Sequence, residues 1–382
     1  MGNVEIMLCS DHSLDTIGGA QLSSNIILNG LKESDYNLGV IQPGKNSSKL
    51  ENVEYFEIGD FKSIKTVARH PFKFINYIKQ VKNILNKEKP SIVHTQAQAN
   101  FFVVAFLKKL HLISKDTYII HTERGLYLKY NTFIQQVFRL MMKELNTLVT
   151  TTQFNMEYWQ AALDKWNISL EDYKIIENTA GQHFESYDEN YVSPYKDKLV
   201  LGFVGRWNYV KNWPLAKEIS LIANERLGEN LIVKMAISCD DKEAEKEAKQ
   251  LFKEIENQMG DRFQGAINTT FDKMDQFYYD LDVYILTTLK DGESFGRTIV
   301  EAMSRNTVVM TTDSGGSVEV VNDKQLVLNT ADEFAEEILF YFENPQKMEE
   351  KKKDNRQRVK EVYSLNNNLA KHKELYSNIL NR

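Results

Sequence analysis

The stretch KLVLGFVGRWNYVKNWPLA, residues 198–216, decides how the rest of the chain is read. Its first half is a short apolar run rich in valine, leucine and phenylalanine, which suits a strand buried on both faces. Gly205 frees the turn at its end. Arg206 and Lys211 project from the loop that follows. A helix opens near Trp213-Pro214, with proline at an early position where its missing N–H costs nothing. Strand, cationic loop and helix make the start of an α/β unit, and ligands of such sheets sit at the carboxyl ends of the strands.

Toward the C-terminus the same alternation continues. Strand-like runs fall near 230–237, 282–288, 307–312 and 325–328, with helical patterns near 213–226, 241–258, 296–305 and 331–343. The tail, about 346–381, reads as helix broken near Ser364-Leu365-Asn366. Toward the N-terminus, GQHFESYDENYVSPYKDK (181–198) is polar and reads as a linker. Before it lies a second alternating series: VEIML (4–8), LGVIQ (38–42), SIVHT (91–95), TYIIHT (117–122) and NTLVTT (146–151) as strands. Helical spacing recurs near 22–31, 72–87, 98–110, 131–145 and 153–163. With 382 residues the chain exceeds one compact core. The expectation is α/β, two Rossmann-like doubly wound domains in tandem, 1–182 and 183–364, followed by a C-terminal helix, 365–382. Two such domains facing each other would form a central cleft.

Composition narrows the class. Hydrophobic content of 42 % and charged content of 26 % are those of an ordinary globular protein. Cys9 and Cys239 lack metal-ligand spacing and read as reduced thiols of a cytoplasmic protein. The N-terminus reads as a first strand and not as a signal peptide, and no apolar run approaches the ~18 residues of a membrane span. Net charge is −6, but residues 61–145 carry 15 Lys+Arg against 4 Asp+Glu. In that block lysines alternate with aromatic and aliphatic residues. It suits solvated faces of amphipathic core helices, or a face resting on anionic lipid or binding an anionic acceptor. The acidic whole argues against nucleic acid.

The chemistry-bearing residues cluster at strand ends. After the first strand, Gly18-Gly19 precede a helix, where backbone N–H groups can approach an anion. Arg206 and Lys211 suit a diphosphate, the guanidinium gripping two oxygens and the ammonium adding a point charge. In DGESFGRTIVEAM (291–303), Glu293 lies in the loop after a strand, and N–H groups of Ser294, Phe295 and Gly296 open the next helix. Glu301 follows inside that helix and suits a pair of vicinal hydroxyls; its alternative is an i, i+4 pair with Arg305. No Asp-x-Asp metal box occurs in a suitable loop, so a metal site is not expected.

Together these residues resemble the signature of retaining glycosyltransferases of the GT-B fold, family 4. The acid–seven residues–acid motif is Glu293 and Glu301, and the Arg–Lys pair is Arg206 and Lys211. Gly18-Gly19 is similar to the family's N-terminal glycine loop, IIHTERG places His121 at the family's histidine, and IIENTAG precedes the linker. The likeness runs from residue 4 to about residue 380, and it implies that the C-terminal helix, 365–382, crosses back to pack on the first domain. Asn306 stands where the family has a glycine after the helix. The resemblance implies transfer of a sugar, with retention, from a nucleoside diphosphate sugar, with UDP-sugar as the expected donor and no cofactor or metal. It implies that Arg206, Lys211 and the helix N-termini hold the diphosphate, Glu293 the sugar hydroxyls and Glu301 the ribose. His121 would sit near the reacting sugar and Glu123 near the acceptor. The implied acceptor is a glycan, lipid-linked or cell-envelope molecule, met on the inner face of the membrane. Alternatives are a GT-B sugar-nucleotide epimerase and a catalytically inactive GT-B partner subunit.

Overall fold

Apolar runs buried on both faces need helices on both faces of a sheet, and the chain provides them twice. The computed structural model describes residues 4–15, 19–126, 130–195 and 197–382. Gly18 lies outside the described residues. Two compact units result, one of residues 1–178 with 366–382 and one of residues 179–365.

The first unit holds seven parallel strands: β1 (Ile6–Cys9), β2 (Leu38–Pro43), β3 (Val53–Ile58), β4 (Ile92–Thr95), β5 (Tyr118–Thr122), β6 (Thr147–Thr150) and β7 (Asp172–Ile175). Their order is β3-β2-β1-β4-β5-β6-β7, so the chain reverses direction across the sheet between β1 and β4. Helices α1 (Gly19–Leu31), α2 (Ile64–Ala68), α3 (Pro71–Glu88), α4 (Gln98–Lys109), α5 (Thr132–Met141) and α6 (Gln153–Lys165) connect them. One face of the sheet packs Met7 and Val93 against Val81 of α3, Val104 of α4 and Trp159 of α6. The other packs Ile6 and Leu8 against Ile27 and Leu28 of α1.

The second unit runs β8 (Leu199–Arg206), α7 (Trp213–Leu227), β9 (Leu231–Ser238), α8 (Lys242–Met259), β10 (Phe263–Ile267), α9 (Phe271–Tyr279), β11 (Val283–Leu286), α10 (Arg297–Ser304), β12 (Val308–Thr311), α11 (Gly316–Val321), α12 (Ala331–Glu343) and α13 (Pro345–Val362). Its five parallel strands follow the order β10-β9-β8-β11-β12, with the reversal between β8 and β11. The last helix, α14 (Leu365–Leu380), belongs to the first unit, where Leu375 and Tyr376 join the α1 side of the core.

Three strands escape sequence reading: β3 (VEYFEI), β7 (DYKI) and β10 (FQGAI). All three are edge strands. Each is only partly buried, so its sequence shows no continuous apolar run, whereas the fourth edge strand, β12 (VVMT), is buried throughout and reads as one. The strand expected at 325–328 is instead a single 3-10 turn at Lys324–Leu326, touching the sheet only by the bridge of Thr311 to Val327. The polar segment read as a linker is docked on the second unit. Phe184 is buried in its core, and the Arg305 guanidinium donates to the carbonyls of His183 (2.9 Å) and Ser186 (2.8 Å).

A buried histidine pair secures α14. His94, on β4, makes a 2.7 Å hydrogen bond through Nδ1 to the Tyr376 hydroxyl and another of 2.7 Å through Nε2 to Thr122. The His372 ring lies 6.1 Å from that of His94 and bonds the Asn368 carbonyl through Nδ1. Burial pushes His94 well below its ordinary value and His372 down to about 4. The unfolded chain therefore takes up protons that the folded chain refuses. The stability linked to His372 is present above the ordinary histidine value and is lost as pH falls toward 4. Between about pH 7 and about pH 5, wild type should lose about 2 kcal/mol more unfolding free energy than His372→Gln, as measured by urea titration. Parallel pH profiles would refute the assignment.

Candidate active site

In the second unit the site grows from the strand reversal. β8 and β11 are paired only where Val283 and Tyr284 meet Leu201 and Gly202. Beyond that point the loop after β8 is stitched to the loop after β11: Leu289 N–H donates to the Val210 carbonyl (2.8 Å), and the Thr287 hydroxyl to the Lys211 carbonyl (2.9 Å). The loop after β8 is one 3-10 turn, Tyr209–Lys211, capped by Asn208, whose side chain accepts from Lys211 N–H (3.1 Å). Gly205 lies within β8, and the left-handed residue that turns the chain is Asn212 (φ 50°), which corrects the expectation for Gly205.

These contacts bring Lys211 and Glu293 together. The Lys211 ammonium lies 2.5 Å from Glu293 Oε2 and 3.4 Å from the Thr288 hydroxyl, with both ionic side chains about 20 % exposed. Glu293 is also fixed through its backbone: its N–H donates to Ser314 O, and its carbonyl accepts from Gly316 N–H, each at 2.8 Å. The loop after β12 thus sets the position of the loop after β11. Arg206, the last residue of β8, is exposed, and its backbone carbonyl is held by Trp213 Nε1 at 3.1 Å. Among the described residues its guanidinium meets no carboxylate within ion-pair distance.

Gly296 caps α10 with φ 88°, in the left-handed region that favours glycine. Ser294 is half-exposed beside it. The Phe295 side chain is buried in the core, edge-on to Tyr363 at 5.6 Å, so its ring anchors the loop. Glu301 accepts 2.7 Å from the buried Tyr278 hydroxyl. Burial raises its carboxyl, with the Tyr278 hydrogen bond and the Arg297 charge pulling back. Arg305 does not pair with Glu301; it turns to Asp275 at 2.5 Å. Asn306 adopts φ 61°, which explains how it fills a position where the resemblance leads one to expect glycine.

In the first unit, Gly19 begins α1. His121, at the end of β5, is fully buried. Its ring stacks on Phe101 at 4.3 Å and 14°. Nδ1 lies 2.9 Å from the Thr95 hydroxyl and Nε2 3.2 Å from Glu123 Oε2. Glu123 is likewise only 1 % exposed. Its carboxylate closes on its own loop, accepting from Gly125 N–H (2.7 Å) and from Gln98 (3.2 Å). Sequence reading missed Asp11, after β1. Its two oxygens accept from Ala99 and Asn100 N–H at 2.8 Å each and so cap α4, whose N-cap Ala97 has no capping group. Burial raises the Asp11 carboxyl, and these two N–H groups partly offset it. An acid just past a strand, with a helix start expected near residue 98 that lacks a polar cap, was the available signal.

The two parallel sheets, each with polar groups at the carboxyl ends around its reversal, define a protein of two Rossmann-like domains. Residues 188–358 match the family of glycosyl transferases group 1, and residues 19–152 match the glycosyl transferase 4-like family. Among solved structures, the chain is similar to sucrose-phosphate synthase from Thermosynechococcus elongatus, at 15 % identity and a TM-score of 0.77 over 99 % of each chain. It is similar to HepE of Anabaena in complex with UDP and glucose, at 15 % identity and 0.74, over 98 % of this chain and 100 % of that one. It is also similar to a UDP-forming trehalose-phosphate synthase from Burkholderia xenovorans, at 12 % identity and 0.72 over 99 % of each. No curated protein sequence matches. The chain belongs to the group 1, 4-like glycosyltransferases, and its fold is GT-B.

Gly292 separates the two stitched loops tightly. A Cβ there would lie 2.4 Å from Thr288 Cγ2, 2.5 Å from the Leu289 carbonyl and 2.9 Å from Val210 Cγ1. Gly292→Ala should therefore destabilise the protein by about 1–3 kcal/mol, read as a lower urea midpoint. An unchanged midpoint would show that the loop has room to shift.

Proposed function

We propose that this glycosyltransferase moves a sugar from a UDP-sugar to a lipid-linked or cell-envelope glycan acceptor, with retention at the anomeric carbon. The carrying observation is the Lys211–Glu293 pair at the carboxyl ends of β8 and β11, with Arg206 exposed as the last residue of β8. Support for the donor comes from neighbours of the same fold that were solved with UDP and glucose.

In this reading the donor diphosphate takes the place of solvent at Arg206 and Lys211. The bond between the anomeric carbon and the β-phosphate oxygen breaks, and that oxygen keeps the electron pair. Two cations stabilise it as it leaves, which is the main electrostatic task of the step. The acceptor hydroxyl oxygen bonds to the anomeric carbon on the same face, and its proton passes to the departing phosphate. Glu293 holds sugar hydroxyls while oriented by Lys211, and Glu301 holds the ribose while oriented by Tyr278. Backbone N–H groups at Ser294–Gly296 assist the phosphates. His121 and Glu123 act as positioning residues that shape the end of β5. With charge neutralised by side chains, the reaction requires no metal. The first unit takes the acceptor and the second the donor, on the inner face of the membrane.

A thermal-shift panel of nucleotides and nucleotide sugars tests the donor site. Wild type should be stabilised by UDP-sugars, and Arg206→Ala should lose that shift while keeping its own melting temperature. Arg206→Ala and Lys211→Met should each lower kcat by about a hundred- to a thousandfold. Activity that disappears in EDTA would contradict the cation-only reading. A flat panel on folded protein would remove the donor assignment.

A further inference from the structure

Helices α3, α4 and α5 lie side by side over one face of the first sheet, and each turns its other side to solvent. On α3 the outward spacing is Phe72, Ile75 and Lys79; on α4 it is Phe102, Phe106 and Lys109; on α5 it is Phe133, Val137 and Leu140. These are i, i+3 or i+4, and i+7 stripes, the pattern by which a helix normally buries one face. Phe102 and Val137 pack partly against the core, Phe102 edge-on to Phe138 at 4.8 Å, while Phe72, Ile75, Phe106, Phe133 and Leu140 are exposed. Phe72 is 89 % exposed and Phe133 73 %. Between the helices runs a groove of about 220 Å³ lined by Phe74, Ile78, Phe102, Phe106, Val137 and Met141.

The charges around this face have one sign. Lys73, Lys79, Lys109, Arg139 and Lys143 are all exposed. Of the four acids between residues 61 and 145, Glu88 is held by Lys87 at 2.9 Å, Glu123 is buried at the end of β5, and Glu144 lies 3.6 Å from Lys109. Asp116 sits in the turn before β5. Among the described residues, no helix is long and apolar enough to cross a membrane. Exposed aromatic and aliphatic tips ringed by lysines complement an anionic bilayer, where apolar side chains enter the acyl boundary and the cations meet lipid phosphates.

We infer that the α3–α4–α5 face docks this protein on an anionic lipid surface, with Phe72, Phe133 and Leu140 entering the headgroup–acyl boundary and the groove accepting lipid chain. The inference deepens the lipid-linked reading above and rests on it only for the reason the enzyme would need a membrane; the geometry stands apart from it.

Co-sedimentation of the full chain with phosphatidylcholine vesicles, with and without phosphatidylglycerol, tests it. Wild type should pellet with the anionic vesicles and be released at about 1 M salt, where the Debye length falls to about 3 Å. F72S/F133S should bind about tenfold more weakly at every salt concentration, because both rings are already in solvent and their loss leaves the core intact. K73E/K79E/K109E should lose the salt-sensitive part. Wild type that stays in the supernatant, or F72S/F133S that pellets as wild type does, would overturn the inference. So would a wild-type dimer in lipid-free sedimentation that F72S/F133S converts to monomer, since the face would then serve a second copy of this chain. The nucleotide thermal shift, run on the same preparations, separates the two readings. Lost vesicle binding with a retained UDP shift sinks only the docking face; vesicle binding without any nucleotide shift sinks only the transfer reaction.

Discussion

The bond between Lys211 and Glu293 depends on three loops being in place at once. Lys211 arrives on the turn after β8, Glu293 on the loop after β11, and that loop is itself clamped by Ser314 and Gly316 after β12. A half-buried ion pair contributes little to stability unless its surroundings already hold both partners. Here they do: Asn208, Thr287 and Leu289 fix the lysine turn by hydrogen bonds that do not involve the ammonium. The pair is thus the product of a rigid frame, and the frame exists because β8 and β11 part just beyond Gly202. Preorganisation of this kind is what a site needs if it is to stabilise charge that develops only during reaction.

The first unit solves a similar problem with buried polar groups. Asp11 terminates β1 and caps α4 at the point where the strand order reverses, so the acid lies between two neighbouring strands' loops. His121, stacked on Phe101 of that same helix, carries the order on to Glu123 and the loop beyond. A chain of satisfied polar groups in a low-dielectric setting specifies one arrangement more sharply than apolar contact does. On the opposite side of the sheet, His94, His372 and Tyr376 fasten α14 by the same means.

Much of this was legible before any coordinates. The interior strands announced themselves as apolar runs, and the helices by their spacing and by Pro214 at the start of α7. The edge strands β3, β7 and β10 did not, because a half-exposed strand has no pattern distinct from a polar loop. The motif residues Arg206, Lys211, Glu293 and Glu301 were recognisable from type and spacing. Their partners were not: Tyr278 lies 23 residues from Glu301 in sequence, and Asp11 lies 89 residues from Asn100. Local reading placed His121 and Glu123 at a strand end, but not the packing that buries both side chains there.

The amino-acid sequence by itself determined the alternation of strands and helices, the doubling of the α/β unit, and the residue types available at each strand end, because these follow from local periodicity and chain chemistry. Only the tertiary structure decided which of those side chains meet solvent, which meet one another, and which apolar side chains stay exposed on α3, α4 and α5. Burial and pairing depend on elements brought together from distant parts of the chain, and no local pattern encodes what will lie on the other side of a helix.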